Sequence, residues 1–128
     1  MKSVVVFGVF DLLHPGHLYF LREARKRGDQ LTVVVARDAR VKFEKKRASF
    51  FNERERLQMI SALRYVDQAM LGDRAGEWKV LKKLRPDIVC IGHDQKAEWI
   101  KRCILKTLPK VIRIKPYKSS RYKSNNLR

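Results

Sequence analysis

The feature that most constrains this chain is the spacing of its apolar runs. "SVVVFG" at 3–8, "QLTVVVA" at 30–36, "VDQAML" at 66–71, "DIVCIG" at 87–92 and "KVIRIK" at 110–115 are short and bounded by turn residues. The first, second and fourth are continuous and rich in β-branched residues, as expected of strands buried on both faces. Between them lie segments with helical spacing. From Gly16 to Arg27, Leu18, Leu21 and Ala24 recur on one face, and Gly28 follows as a stop. Asn52 precedes Glu55 by three residues, a capping-box pattern, and Leu57, Ile60 and Leu63 or Arg64 continue that helix. "AGEWKVLKKL" at 75–84, stopped by Pro86, and "KAEWIKRCILKTL" at 96–108, ending before Pro109, are two more. "RDARVKFEKKRASFF" at 37–51 has no clean period and reads as a loop. "KVIRIK" alternates, which suits an edge strand.

Strands alternating with helices predict an α/β chain: a doubly wound, Rossmann-like, five-stranded parallel sheet with helices on both faces. In such an order the first and fourth strands are neighbours, and ligands bind beyond their carboxyl ends, where the winding reverses. The first strand runs into "GVFDLLHPGH" and the fourth into "GHDQ". Both polar clusters are therefore expected at one crevice.

The 128 residues fit a single domain, 1–128, whose residues 116–128 form a basic tail contributing to the site. With 45% hydrophobic residues the chain reads as globular. No apolar run is long enough to span a bilayer, and the N-terminal stretch is interrupted at Asp11, too soon for a signal peptide. A soluble cytoplasmic protein is the expectation. Cys90 sits in an apolar run and reads as a buried free thiol; neither it nor Cys103 has metal-ligand or redox spacing. The formal charge of +17 attracts polyanions: nucleic acid, anionic lipid or phosphorylated small molecules. No helix-turn-helix, zinc-finger or RNA-binding signature is present, which argues against nucleic acid.

The spacing in "HPGH" has a physical reading. Proline pushes His14 out of the helical region and itself suits the first helical position. Gly16 has no side chain, so a ligand can approach the backbone. His17 falls in the first turn. Both imidazoles can then point past a helix N-terminus that already favours an anion. Gly8 would likewise let a nucleotide approach. As an alternative, the two histidines are solvated groups in a turn.

"GVFDLLHPGH" resembles the signature of the cytidylyltransferase-like nucleotidyltransferases, a strand ending in Gly-Thr-Phe-Asp followed by His-x-Gly-His. The similarity runs along nearly the whole chain. "RYVD" at 64–67 is similar to a segment of glycerol-3-phosphate and phosphocholine cytidylyltransferases, while "VVVARDARVKFEKKR" and "LRPDIVCIGHDQ" are closer to archaeal-type FAD synthases. The tail "YKSNNLR" is similar to a family ending whose serines open a final helix. Val9 stands where the family has threonine, Asn125 where it has a second serine, and the sequence ends at Arg128, where relatives continue into a helix. These departures point to reduced activity or a shifted donor preference.

The resemblance implies attack by an acceptor phosphate on the α-phosphate of ATP or CTP, with pyrophosphate released. His14, His17, Lys45 and Ser124 are the implied catalytic set. Lys42 or Arg47 are alternatives to Lys45 for the β- and γ-phosphates, and Arg121 or Lys123 would support Ser124. Gly8, Val9, Phe10, His14, Pro15, Gly16, His17, Arg64, Asp94, Gln95 and Tyr117 are the implied nucleotide-binding residues. Asp94 would meet the sugar, Gln95 the base, Arg64 a pyrimidine carbonyl and Tyr117 a base or flavin ring. Each also has a plain reading, as a loop cap, a solvated charge or a packing residue. Asp11 is placed near the acceptor, or as a cap of its local turn. His93 reads as a solvated loop histidine, and Trp78 and Trp99 as packing residues. Mg²⁺ or another divalent cation would arrive on the triphosphate, with no ligands from protein side chains. A homodimer is expected, because "RYVD" lies near the family's dimer contact. The donor and acceptor pair leans to ATP and FMN, with CTP and an alcohol phosphate as the alternative, and a non-catalytic basic binding module as a further one.

Overall fold

A computed structural model of the chain describes residues 1–74, 79–96, 98–102 and 108–117. Five strands, β1 (Ser3–Gly8), β2 (Gln30–Val35), β3 (Gln68–Leu71), β4 (Ile88–Ile91) and β5 (Lys110–Arg113), form one sheet in the order β3-β2-β1-β4-β5. Every neighbouring pair is parallel. The winding reverses between β1 and β4, which are in register from Val4↔Ile88 to Val6↔Cys90. The helices are α1 (Pro15–Arg25), α2 (Asp38–Lys45), α3 (Glu53–Ser61), α4 (Val80–Leu84) and α5 (Glu98–Arg102).

Alternation along each strand divides the core. Val4, Val6, Leu31, Val33, Val35, Ile88 and Cys90 face one side, where Leu21 and Ala24 of α1 and Ile60 of α3 pack on them. Val89 and Ile91 face the other side and meet Leu81 of α4 and Ile100 of α5, with Phe7 and Trp99 at the margin. Both sheet faces are thus covered, and the inner strands read as unbroken apolar runs for that reason. Each such buried Val, Leu or Ile contributes roughly 1.5–3 kcal/mol. β5 lies at an edge, with Lys110, Val111 and Arg113 exposed. Cys90 is a buried free thiol whose pKa burial pushes up to about 11.

The structure differs from expectation at 37–51, where α2 replaces most of a loop. Val41 is its one buried residue, so no apolar period betrays it. Its N-terminus is fixed from outside: the Asp38 N–H donates to Glu53 Oε1 at 2.8 Å. Lys46, in the left-handed region at φ 61°, ends it. The Asn52 capping box forms as expected, with Asn52 Oδ1 accepting from the Glu55 N–H at 2.8 Å and Glu55 Oε1 from the Asn52 N–H at 3.0 Å. Helix α3 ends at Ser61, short of Leu63 and Arg64.

Candidate active site

The turn from β1 into α1 is built around Phe10. Its backbone is left-handed, with φ 52°, and its buried ring folds back over Gly8. A Cβ on Gly8 would sit 2.7 Å from that ring, so glycine is needed there for the protein's own packing as well as for any ligand's approach. Phe10 in turn meets His17 edge-on, with ring centroids 5.6 Å apart. His14 is the extended N-cap of α1 and Pro15 begins the helix. His14 Nδ1 accepts the Gly16 N–H at 3.1 Å, so in the neutral ring the proton is on Nε2. The imidazoles of His14 and His17 stack, centroids 3.8 Å apart and planes 23° from parallel.

Burial is the main cause that lowers the His17 pKa, to about 4, and the His14 and Lys45 charges lower it further. Burial also lowers His14. Burial thus disfavours the cationic form of both rings, and a neutral imidazole keeps one N–H donor. His17 Nδ1 is buried without a hydrogen-bond partner among the described residues.

Asp11 is buried. Its Oδ2 accepts the Phe50 N–H at 2.8 Å and its Oδ1 the Phe51 N–H at 2.9 Å. It clasps the segment that follows α2. The opposite side of the clasp is Arg56 of α3, which sequence reasoning missed. Its side chain is fully buried and donates to Phe51 O (3.1 Å), Val9 O (2.9 Å), Ala36 O (2.7 Å) and Asp38 Oδ1 (2.7 Å). The signal was present: Arg56 stands one turn before Ile60, on the apolar face of an otherwise polar helix.

Across the sheet, the segment after β4 is held from two sides. Gln95 Oε1 accepts the Gly92 N–H at 2.7 Å and its Nε2 donates to Phe7 O at 2.9 Å. This amide joins β4 to β1. Arg113 Nη1 donates to the carbonyls of Gly92, His93 and Gln95 at 2.9, 3.1 and 2.8 Å. Arg113 occupies an ordinary outward position of an alternating strand, so nothing in the sequence marked it. His93 and Asp94 are exposed at the mouth of the site.

The two polar clusters share one cleft of about 1240 Å³. Gly8, Val9, Phe10, Gly16 and the two histidines line it from β1 and α1, Lys45 and Arg47 from the α2 side, and Asp94, Gln95 and Tyr117 from the other. The Tyr117 ring stacks on Tyr19 of α1, centroids 5.0 Å apart. Trp99 packs edge-on against Phe7 at 4.9 Å. Pro15 begins the helix, and neither it nor Lys42, exposed on α2, is among the residues that line the cleft. Arg64 is also outside: it is exposed, and its guanidinium lies 5.3 Å from the ring centroid of Tyr65. Ser124, Arg121, Lys123, Asn125, Trp78 and Cys103 lie outside the described residues.

Three comparisons with known proteins bear on this geometry. A family model described as cytidylyltransferase-like matches residues 5–126. The FAD synthase of Aciduliprofundum boonei is 45% identical over 124 residues, covering 94% of this chain and 83% of that protein. The FAD synthase of Methanohalophilus mahii is 48% identical over 95 residues, covering 74% of this chain and 66% of that protein. The matched length is thus just under two thirds of the Methanohalophilus protein. A crystal structure described as the lipopolysaccharide core biosynthesis protein from Thermoplasma volcanium GSS1 superposes with a TM-score of 0.85 at 39% identity, covering 92% of this chain and 99% of that one.

Proposed function

This chain belongs to the cytidylyltransferase-like family and is a nucleotidyltransferase, and from that premise we propose that it transfers AMP from ATP to FMN, giving FAD and pyrophosphate. The observation that carries the proposal is the meeting of the stacked His14–His17 pair and the Gly92–Gln95 segment in one cleft, in a chain 45–48% identical to proteins named FAD synthase. The cleft exceeds the roughly 300–1,000 Å³ that one small ligand occupies, which suits two substrates side by side. Phe7, Ile91 and Trp99 in its wall suit an isoalloxazine ring better than a polyol or a choline headgroup. Arg64, the residue that favoured a pyrimidine, stands outside.

In this reading an FMN phosphate oxygen attacks the α-phosphorus of ATP, and the bond from that phosphorus to the bridging oxygen breaks. The second pKa of a phosphate monoester is about 6, so the nucleophile is already anionic and needs no general base. Neutral His14 and His17 donate hydrogen bonds to α-phosphate oxygens as charge shifts towards the leaving pyrophosphate. Lys45, with Arg47 beside it, neutralises the β- and γ-phosphates. In this reading Mg²⁺ enters as part of the ATP substrate. Asp94 meets the sugar, and the resemblance of the tail to the family ending assigns Ser124 to the phosphates. Among the described residues no helix is long and apolar enough to cross a membrane, and we place the protein in the cytoplasm as a homodimer.

The test is pyrophosphate release measured for ATP and CTP, each against FMN, glycerol 3-phosphate and phosphocholine. Release with ATP and FMN is expected. Release only with CTP overturns the flavin reading.

A further inference from the structure

Arg113 is the last residue of β5 and is in register with Ile91, the last residue of β4. Its guanidinium therefore lies beside the segment that leaves β4. One terminal nitrogen, Nη1, takes three carbonyl oxygens, those of Gly92, His93 and Gln95. Three carbonyls converging on a point create a negative pole that only a cation can occupy comfortably. Because C=O and N–H are opposed across a trans peptide, the N–H groups of His93, Asp94 and Lys96 point away from Arg113. Arg113 thus fixes both the path of the segment and its polarity. Gln95 holds the same segment from the β1 side, through the Gly92 N–H and Phe7 O. Gly92 to Lys96 line the cleft, while Arg113 does not.

We infer that Arg113 is a positioning residue for nucleotide binding: it holds Gly92–Gln95 in the conformation that presents Asp94 to the nucleotide's sugar, without touching the nucleotide itself. The inference rests on the nucleotidyl-transfer reading of the cleft, but not on which nucleotide or acceptor is used. The histidines that act on the α-phosphate stand on a different element, α1, so the loss of Arg113 acts on binding of the nucleotide and leaves the chemical step alone.

The experiment compares wild type with Arg113→Met and Arg113→Lys. In Arg113→Met the stem remains and the cation is gone. KM for ATP is expected to rise about tenfold, with kcat within about twofold and KM for FMN unchanged. The preference for ATP over its 2′-deoxy analogue falls with it. Arg113→Lys returns a cation to the carbonyls and brings KM for ATP partway back. Thermal midpoints of both variants separate positioning from folding. A folded Arg113→Met with wild-type KM for ATP and wild-type sugar discrimination overturns the inference, as does a fall in kcat with both KM values raised together. Should Arg113→Met not fold, Arg113→Lys decides: a raised KM for ATP at wild-type kcat supports the inference, and a wild-type KM overturns it. If wild type releases pyrophosphate only with CTP, the ATP-to-FMN reading fails, and KM for CTP is read in the same way.

Discussion

His17 is neutral because burial, His14 and Lys45 all oppose its proton. Its pKa of about 4 lies below the ordinary 6.5, so between those values the unfolded chain binds more protons than the folded one. Stability from this source is complete above pH 6.5 and is lost as pH falls towards 4, by up to roughly 3 kcal/mol. Thermal midpoints of wild type and His17→Gln measured from pH 7 to 4.5 should converge as pH falls; a constant difference between them contradicts this origin. An anionic phosphate beside the rings acts in the opposite sense and favours the proton. Pyrophosphate binding near pH 6 should therefore take up protons, read by calorimetry in buffers of different ionisation enthalpy, and His17→Gln should reduce the uptake. His17→Ala, by removing a donor to the reacting phosphate, should lower kcat by about two to four orders of magnitude. A loss of only a few-fold would remove His17 from the chemical step. The pair itself was legible in "HPGH", because Pro15 and Gly16 dictate the backbone around it. Its neutrality was not, because that depends on packing by Phe10 and on Lys45, which stands 28 positions further along the chain.

At the scale of elements, the peptide of Phe51 joins α2 and α3 to the β1–α1 turn. Asp11 holds its N–H and Arg56 its carbonyl, while Arg56 also gathers Val9, Ala36 and Asp38. Lys45 owes its place opposite the histidines to this clasp. Replacing Arg56 by Met leaves the carbonyls of Phe51, Val9 and Ala36, and the Asp38 carboxylate, without this donor, and should destabilise the fold by about 3–5 kcal/mol in urea unfolding. A loss below about 1 kcal/mol would show that the bonds are replaced by water. Most elements were legible because each carries its own period or cap: β1, β2 and β4 as apolar runs, α3 through Asn52 and Glu55. Helix α2 was not, because Val41 alone buries and its start depends on Glu53, fifteen residues away. The same holds for site residues. Gln95 and Asp11 are polar residues near a motif, and only the fold reveals that their partners are the backbones of Phe7, Gly92, Phe50 and Phe51.

For the whole molecule, the order β3-β2-β1-β4-β5 follows from alternation and right-handed crossovers, and it brings two clusters some 80 residues apart in sequence into one cleft. Charge is distributed differently from binding. Among the described residues the cleft wall carries five lysines and arginines and five carboxylates, so the surplus behind the +17 lies elsewhere on the chain. Such a surplus draws anionic substrates from a distance and is screened by salt. Raising ionic strength from about 0.01 to 0.15 M should lower kcat/KM several-fold while kcat holds; a salt-independent kcat/KM contradicts steering. Light scattering should give the mass of a dimer, and a monomeric mass rejects that expectation. The sheet ends in two edge strands. Its two margins, β3 and β5, are only four residues long, and β5 exposes Lys110 and Arg113. Short, charged margins are poor templates for a strand from another molecule. They guard a protein with such an apolar interior against fibril growth and edge-to-edge aggregation when it is crowded or warmed.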